Sequence, residues 1–161
     1  MPFSNANRIL TLILMAGLLA LIFVSFVGGV VLRDISFDVA RANPELGHLR
    51  VPVLASGLSL IGIFIVCLVL GEILLGRIVQ GRIFTESSVR LLKAISWLFV
   101  SGILPLAALY VLTERNVSGS ITQIYVILFA VVYVTAGLVF RLWANLIRDA
   151  SRFKQEVDLT V

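Results

Sequence analysis

Apolar residues gather in four long runs, at 9–32, 51–75, 94–112 and 124–140, and charged residues fall almost entirely between these runs and at the two ends. A bilayer core of about 30 Å is crossed by about 20 residues of α-helix at about 1.5 Å rise per residue. All four runs reach or approach that length. Hydrocarbon offers no partner for backbone N–H and C=O groups, so each run is predicted to be a helix and not an open strand. The first run is longer than the about 7–15 residues of a signal-peptide core. It closes on Val30-Val31-Leu32-Arg33, without a small-x-small cleavage pattern, and is expected to be a retained helix. The expected fold class is therefore an all-α membrane protein: four transmembrane helices forming one four-helix domain over residues 1–161.

Composition agrees with this class. Hydrophobic residues make up 60% of the 161-residue chain and charged residues 14%, against about 45–50% and about 25% in soluble domains. A disordered chain, a disulfide-rich module and an ordinary soluble enzyme domain are excluded. The net charge of +4 acquires meaning only through its distribution. Four spans put both ends of the chain on one side. That side then holds Arg8, the Arg77, Arg82, Arg90 and Lys93 connection, and the Arg141, Arg148, Arg152 and Lys154 tail, while the other side holds Arg33, Arg41, Arg50 and Arg115. The positive-inside rule places the richer side, with both termini, in the cytoplasm of a bacterial inner-membrane protein.

The connections carry their own signals. Residues 33–50 balance three arginines with Asp34, Asp38 and Glu45, and the alternation Ile35-Ser36-Phe37-Asp38-Val39 predicts a short strand or an interfacial turn. Gly76 and Gly81 allow a bend after the second run. Thr85 is a good helix N-cap with Glu86 at the first helical position. One continuous helix is predicted over 85–112, kinked by Pro105. The tail over 141–157 is predicted to be an amphipathic helix. Its apolar side comprises Leu142, Trp143, Leu146, Ile147, Ala150, Phe153 and Val157. Trp143, Arg148, Arg152, Phe153 and Lys154 form the face expected to meet an anionic lipid surface or a partner, with the helix either prolonging the fourth span or lying flat on the leaflet.

Chemistry-bearing residues are sparse. His48 is the sole histidine and Cys67 the sole cysteine. Ligand spacings for a metal are absent, as are Ser-His or Cys-His pairs within a span and a glycine-rich phosphate loop. No enzyme activity, cofactor or direct nucleic-acid binding is expected. Glu72 is the one acid inside a run, three residues before its end. A carboxylate there is costly, so it is expected to meet Arg141, or failing that Arg77, in an ion pair tying the second helix to the fourth.

Two segments carry a family resemblance. Phe84-Thr85-Glu86-Ser87-Ser88-Val89-Arg90-Leu91-Leu92 resembles a Phe-Thr-x-Glu-Asn-Val-x-x-Leu motif, with Ser87 and Ser88 where the family has Glu and Asn. The closing run from Ile147 to Val161, ending Asp158-Leu159-Thr160-Val161, is similar to that family's ending. The family is a bacterial four-helix integral membrane family of unknown function that includes YoaS-like proteins. Its genes lie beside small helix-turn-helix regulators of the Cro/CI type, which implies a membrane partner or sensor for a cytoplasmic regulator. The expected function is non-enzymatic sensing or regulation through the 76–93 connection and the tail. Alternatives are an accessory subunit of a larger membrane complex and a small transporter or channel. Expected partners are the bilayer, a cytoplasmic helix-turn-helix regulator or other membrane subunits, and further copies of the chain.

Overall fold

The computed structural model describes residues 5–117 and 121–158, with side chains for 8–117 and 121–153. Helix α1 is Asn5–Ala42, α2 Arg50–Val79, α3 Glu86–Ser101, α4 Ile103–Asn116 and α5 Ile121–Asp158, and a 3-10 turn at Pro44–Leu49 joins α1 to α2. With α3 and α4 taken as one span, four helical units among the described residues are long and apolar enough to cross a membrane. The all-helical membrane fold read from the apolar runs is present. Helices α1 and α5 have 38 residues each. At about 57 Å each they are almost twice the hydrocarbon thickness, so both continue well past their apolar runs.

Three local expectations need correction. Residues 33–42 are neither strand nor turn but the last turns of α1. Leu32, Ile35, Ser36, Val39 and Ala40 recur at helical spacing and line one cavity with α2, so packing on α2 prevails over a five-residue alternation. The helix stops at Asn43, because Pro44 disfavours helical backbone in the residue before it. The Asn43 backbone N and side-chain Nδ2 both donate to the Val39 carbonyl, at 3.0 and 3.1 Å.

The second correction concerns residues 85–112, which form two helices and not one. Pro105 has no N–H to donate to the Ser101 carbonyl, and its ring crowds that carbonyl. The helix is interrupted at Gly102, whose φ of −61° and ψ of −15° keep the chain turning in the same sense. The α4 axis therefore continues α3 with a kink, displaced from Pro105 to the turn before it. At the start of α3, Thr85 adopts extended backbone, and its Oγ1 accepts from the Ser88 N–H at 3.4 Å. The bend before it is closed by Gly81, the one described residue with positive φ, at +70°. Its N–H donates to the Ile78 carbonyl and that of Arg82 to the Arg77 carbonyl, a paired C-terminal cap that needs left-handed backbone and so glycine.

The third correction concerns the stripe along α5. The apolar side read along the tail does not pack as one face within the bundle: Ile147 is partly buried against Val89, Leu92 and Ala144, whereas Leu142, Trp143, Leu146, Ala150 and Phe153 are exposed. The shielded positions of α5 include Val126, Ala130, Tyr133, Gly137, Phe140, Ala144, Ile147 and Ser151, alternately four and three apart. On the facing span, Thr85, Ser88, Leu92, Ile95, Phe99, Gly102, Leu106, Leu109 and Thr113 keep the same alternation. That spacing keeps the positions near one side of each helix, and the seam with α5 runs through Val89, Leu92, Ser96, Phe99 and Gly102. Helices α3 and α5 share the most extensive packing, and α4 continues it. The Ser96 hydroxyl donates to the Gly137 carbonyl at 2.8 Å across the seam.

Helix α2 lies on the other side of α3 and α4, and α1 packs chiefly on α2 and the 3-10 turn. Large apolar side chains cover the rest of α1 and are exposed, as suits a helix facing lipid over most of its circumference. The four spans thus form an antiparallel pair, α1–α2, leaning on a tighter antiparallel unit, α3–α4–α5.

A methyl group at Gly102 would collide with the Tyr133 ring, whereas one at Gly28 meets nothing within 4 Å. Gly102→Ala is expected to cost about 1–3 kcal/mol through overpacking. Thermal unfolding in detergent should show a lowered midpoint for Gly102→Ala and no lowering for Gly28→Ala, where a helix-interior alanine meets no neighbour.

Candidate functional site

At the end of the bundle where α2 turns into α3, Val89, Leu92 and Ala144 form a buried cluster, with Leu74, Phe140 and Ile147 packed against it. Ala144 is completely buried. Its small side chain lets α5 approach α3 closely, and this fixes the direction in which α5 continues. The Phe99 ring stacks on Phe140 at 5.7 Å, and Phe140 meets Trp143 edge to face at 5.8 Å. Helix α5 runs through Arg141 without a break. The tail therefore prolongs the fourth helix and does not fold away from it.

The predicted partner face divides. Trp143, Arg152 and Phe153 are exposed, together with Leu142 and Leu146. Arg148 is only partly exposed; its Nε lies 3.6 Å from Asp149 Oδ1 without a hydrogen-bond partner. Lys154 belongs to the helix but lies outside the residues whose side chains are described. The exposed residues Leu142, Leu146 and Phe153 follow helical spacing, so one apolar strip runs along α5 past the α3 cap.

The structure does not contain the expected ion pair of Glu72. Among the described residues the only ion pair within 4.0 Å is Arg148 with Asp149. Arg141 is exposed, one residue off the buried seam, and α2 packs on α1, α3 and α4 more than on α5. Arg77, five residues along, projects about 140° around the helix from Glu72. Glu72 is instead partly buried, and its Oε2 has no hydrogen-bond partner.

At the opposite end lies a cavity of about 590 Å³ between α1 and α4, floored by α2 and closed above by the 3-10 turn. Its lining is apolar apart from three hydroxyl residues and Arg50. The Thr113 and Ser36 hydroxyls donate to carbonyls of their own helices, Leu109 and Arg33. The Arg50 guanidinium sits 3.3 Å from the centre of the Phe37 ring, and its Nε donates to Ser36 Oγ at 3.4 Å. Arg33 approaches the same ring, at 6.0 Å. The sequence reading missed this arrangement because it treated 33–50 as a loop. A helical continuation of α1 would have put Arg33, Ser36 and Phe37 one turn apart.

The other chemistry-bearing residues are engaged singly. His48 Nδ1–H donates to the Glu45 carbonyl at 3.1 Å, and Cys67 is buried. Among the described residues, no three His, Cys, Asp or Glu side chains come together.

Residues 34–161 match the model of the family described as "Protein of unknown function (DUF2975)". The match covers most of the chain, and the chain belongs to that family. It begins just after Arg33, so the apolar part of α1 lies outside it. The assignment agrees with the resemblance carried by residues 84–92 and 147–161. No curated protein and no solved structure matches.

Two substitutions check the local chemistry. Thr85→Ala removes the α3 cap and is expected to cost about 1 kcal/mol of local stability, read as faster amide exchange at Ser87, Ser88 and Val89. Glu72→Leu replaces an unpartnered buried oxygen with hydrocarbon and is expected to raise stability by about 1–3 kcal/mol in detergent. A lowered unfolding midpoint would show that Glu72 holds a contact on which the fold depends.

Proposed function

We propose that this member of the family is a non-enzymatic sensing or regulatory protein of a bacterial inner membrane. Both ends of the chain lie in the cytoplasm, and contacts run through the α2–α3 connection and the outer part of α5. The observation that carries this reading is the stiff extension of α5. Gripped by α3 at Ala144 and Ile147, it holds Leu142, Leu146, Trp143 and Phe153 exposed beside Arg152. An apolar strip edged with positive charge suits an amphipathic partner with an acidic rim. The helix-turn-helix regulator implied by the family resemblance is the partner class it favours, and nucleic acid is reached only through that partner. The excess of basic residues on the α2–α3 side supports the orientation.

The alternative of an accessory subunit draws on a different feature. Helix α1 packs chiefly on α2 and leaves its outer face to lipid or to a neighbouring helix.

A photo-activatable residue at Phe153 in living cells is expected to capture a soluble protein, and Arg152→Glu is expected to weaken the capture. Cross-links confined to lipid would overturn the reading, and a stoichiometric membrane subunit would replace it with the accessory role. Orientation is read separately. Cys67 is buried and the only cysteine, so an introduced cysteine reports alone. With a membrane-impermeant maleimide, Glu45→Cys is expected to label in intact cells and Glu86→Cys only after permeabilisation.

A further inference from the structure

From the cavity between α1 and α4 we infer a binding site for one membrane phospholipid with an anionic headgroup, an acyl chain in the groove and the phosphodiester on Arg50. This site is separate from the α5 surface and does not rest on the proposed function or on the orientation.

Three observations converge. The groove is lined almost wholly by apolar side chains and lies between α1 and α4, which share no extensive packing. It follows α2 from Arg50 down to Gly57, about 10 Å of helix, which suits the upper part of an extended chain. Its one charged lining residue stands at the end where the apolar runs stop. Arg33 closes the first run and Arg50 precedes the second, and both guanidiniums reach the Phe37 ring from their own helices. Positive charge is thereby gathered at headgroup depth.

The state of Arg50 is the third observation. Its guanidinium is held flat on an aromatic ring and anchored through Nε to Ser36. Among the described residues its terminal N–H groups have no acceptor and no acid lies within 4.0 Å of it, although Asp34, Asp38 and Glu45 are nearby in the chain. A planar fork with free N–H donors, pre-positioned by stacking, matches two phosphate oxygens. An anionic headgroup brings no cation of its own to compete with Arg50 for the phosphate, and the second guanidinium at the Phe37 ring, Arg33, adds to its attraction.

The test is native mass spectrometry of the full chain in mild detergent, with phosphatidylglycerol and phosphatidylcholine of equal chain length. Wild type is expected to retain one phosphatidylglycerol in preference to phosphatidylcholine. Arg50→Gln is expected to weaken that retention about tenfold, as loss of charge-assisted bonds does. Val53→Trp, which fills the groove, is expected to abolish retention of both lipids. Phosphatidylglycerol should also raise the unfolding midpoint of wild type and leave that of Arg50→Gln unmoved, a readout that requires each variant to be folded. Equal retention of the two lipids, or retention unaffected by Arg50→Gln, overturns the site. Palmitate displacing phosphatidylglycerol at Arg50 overturns the phospholipid assignment in favour of a free fatty acid. Disulfide-linked dimers from Val53→Cys overturn it in favour of a second copy.

Discussion

Helix α5 approaches α3 closely only where side chains are small, and the rest of the molecule is arranged around that approach. In lipid, apolar side chains gain nothing from leaving water, so helices associate through close packing and interhelical hydrogen bonds. The contact includes Gly137, Ala144 and Ser96, and the Ser96 hydroxyl donates to the Gly137 carbonyl at 2.8 Å. A methyl group at Gly137 would lie 3.1 Å from Val100 Cγ2 and 3.2 Å from the Ser96 carbonyl. The larger residues Leu92, Ile95 and Phe140 then interlock on either side. Beyond its apolar run α5 continues as the same unbroken helix to Asp158.

The kink at Gly102 follows from the same seam. Pro105 frees the Ser101 carbonyl, and the Ser101 hydroxyl is turned back to the Leu98 carbonyl. Interruption of the helix at a glycine lets Tyr133 press against the bare backbone there. The upper half of the third span can then lean on α5 through Leu106 and Val126, both buried. Helix α4 packs on α5 and α2, and the space between α4 and α1 is the apolar cavity with Arg50 at its rim.

The two ends of the molecule differ in character for a related reason. Where α2 meets α3, a glycine cap and a threonine cap terminate the helices in quick succession, and the apolar cluster around Leu92 closes over them. Where α1 meets α2, the helix ends are joined by a 3-10 turn and held by single polar contacts from Asn43, Ser36 and Arg50. The first end is suited to present a stiff surface, and the second has room to admit a chain.

Much of this was legible in the sequence. The four apolar runs settled the helical class, because a bilayer tolerates no other backbone arrangement for them. Thr85 before Glu86 marked a helix start through local backbone chemistry alone; of the two glycines read as allowing a bend, Gly81 makes it and Gly76 stays inside α2. Pro105 announced a kink for the same reason. What depended on tertiary structure was which side of each helix faced inward. In lipid, hydrophobicity does not distinguish a packed face from an exposed one, so the apolar run of α5 did not mark Gly137 as the position that sits against Ser96 and Val100 of α3. Glu72 illustrates the same limit. Its cost was visible in the sequence, but its partner was a matter of helix rotation, and the rotation set by α2 packing on α3 and α4 leaves Arg141 and Arg77 out of reach. The Arg50 site lay further beyond the sequence, because it exists only once α1 continues past its apolar run and α4 packs on α5 and α2.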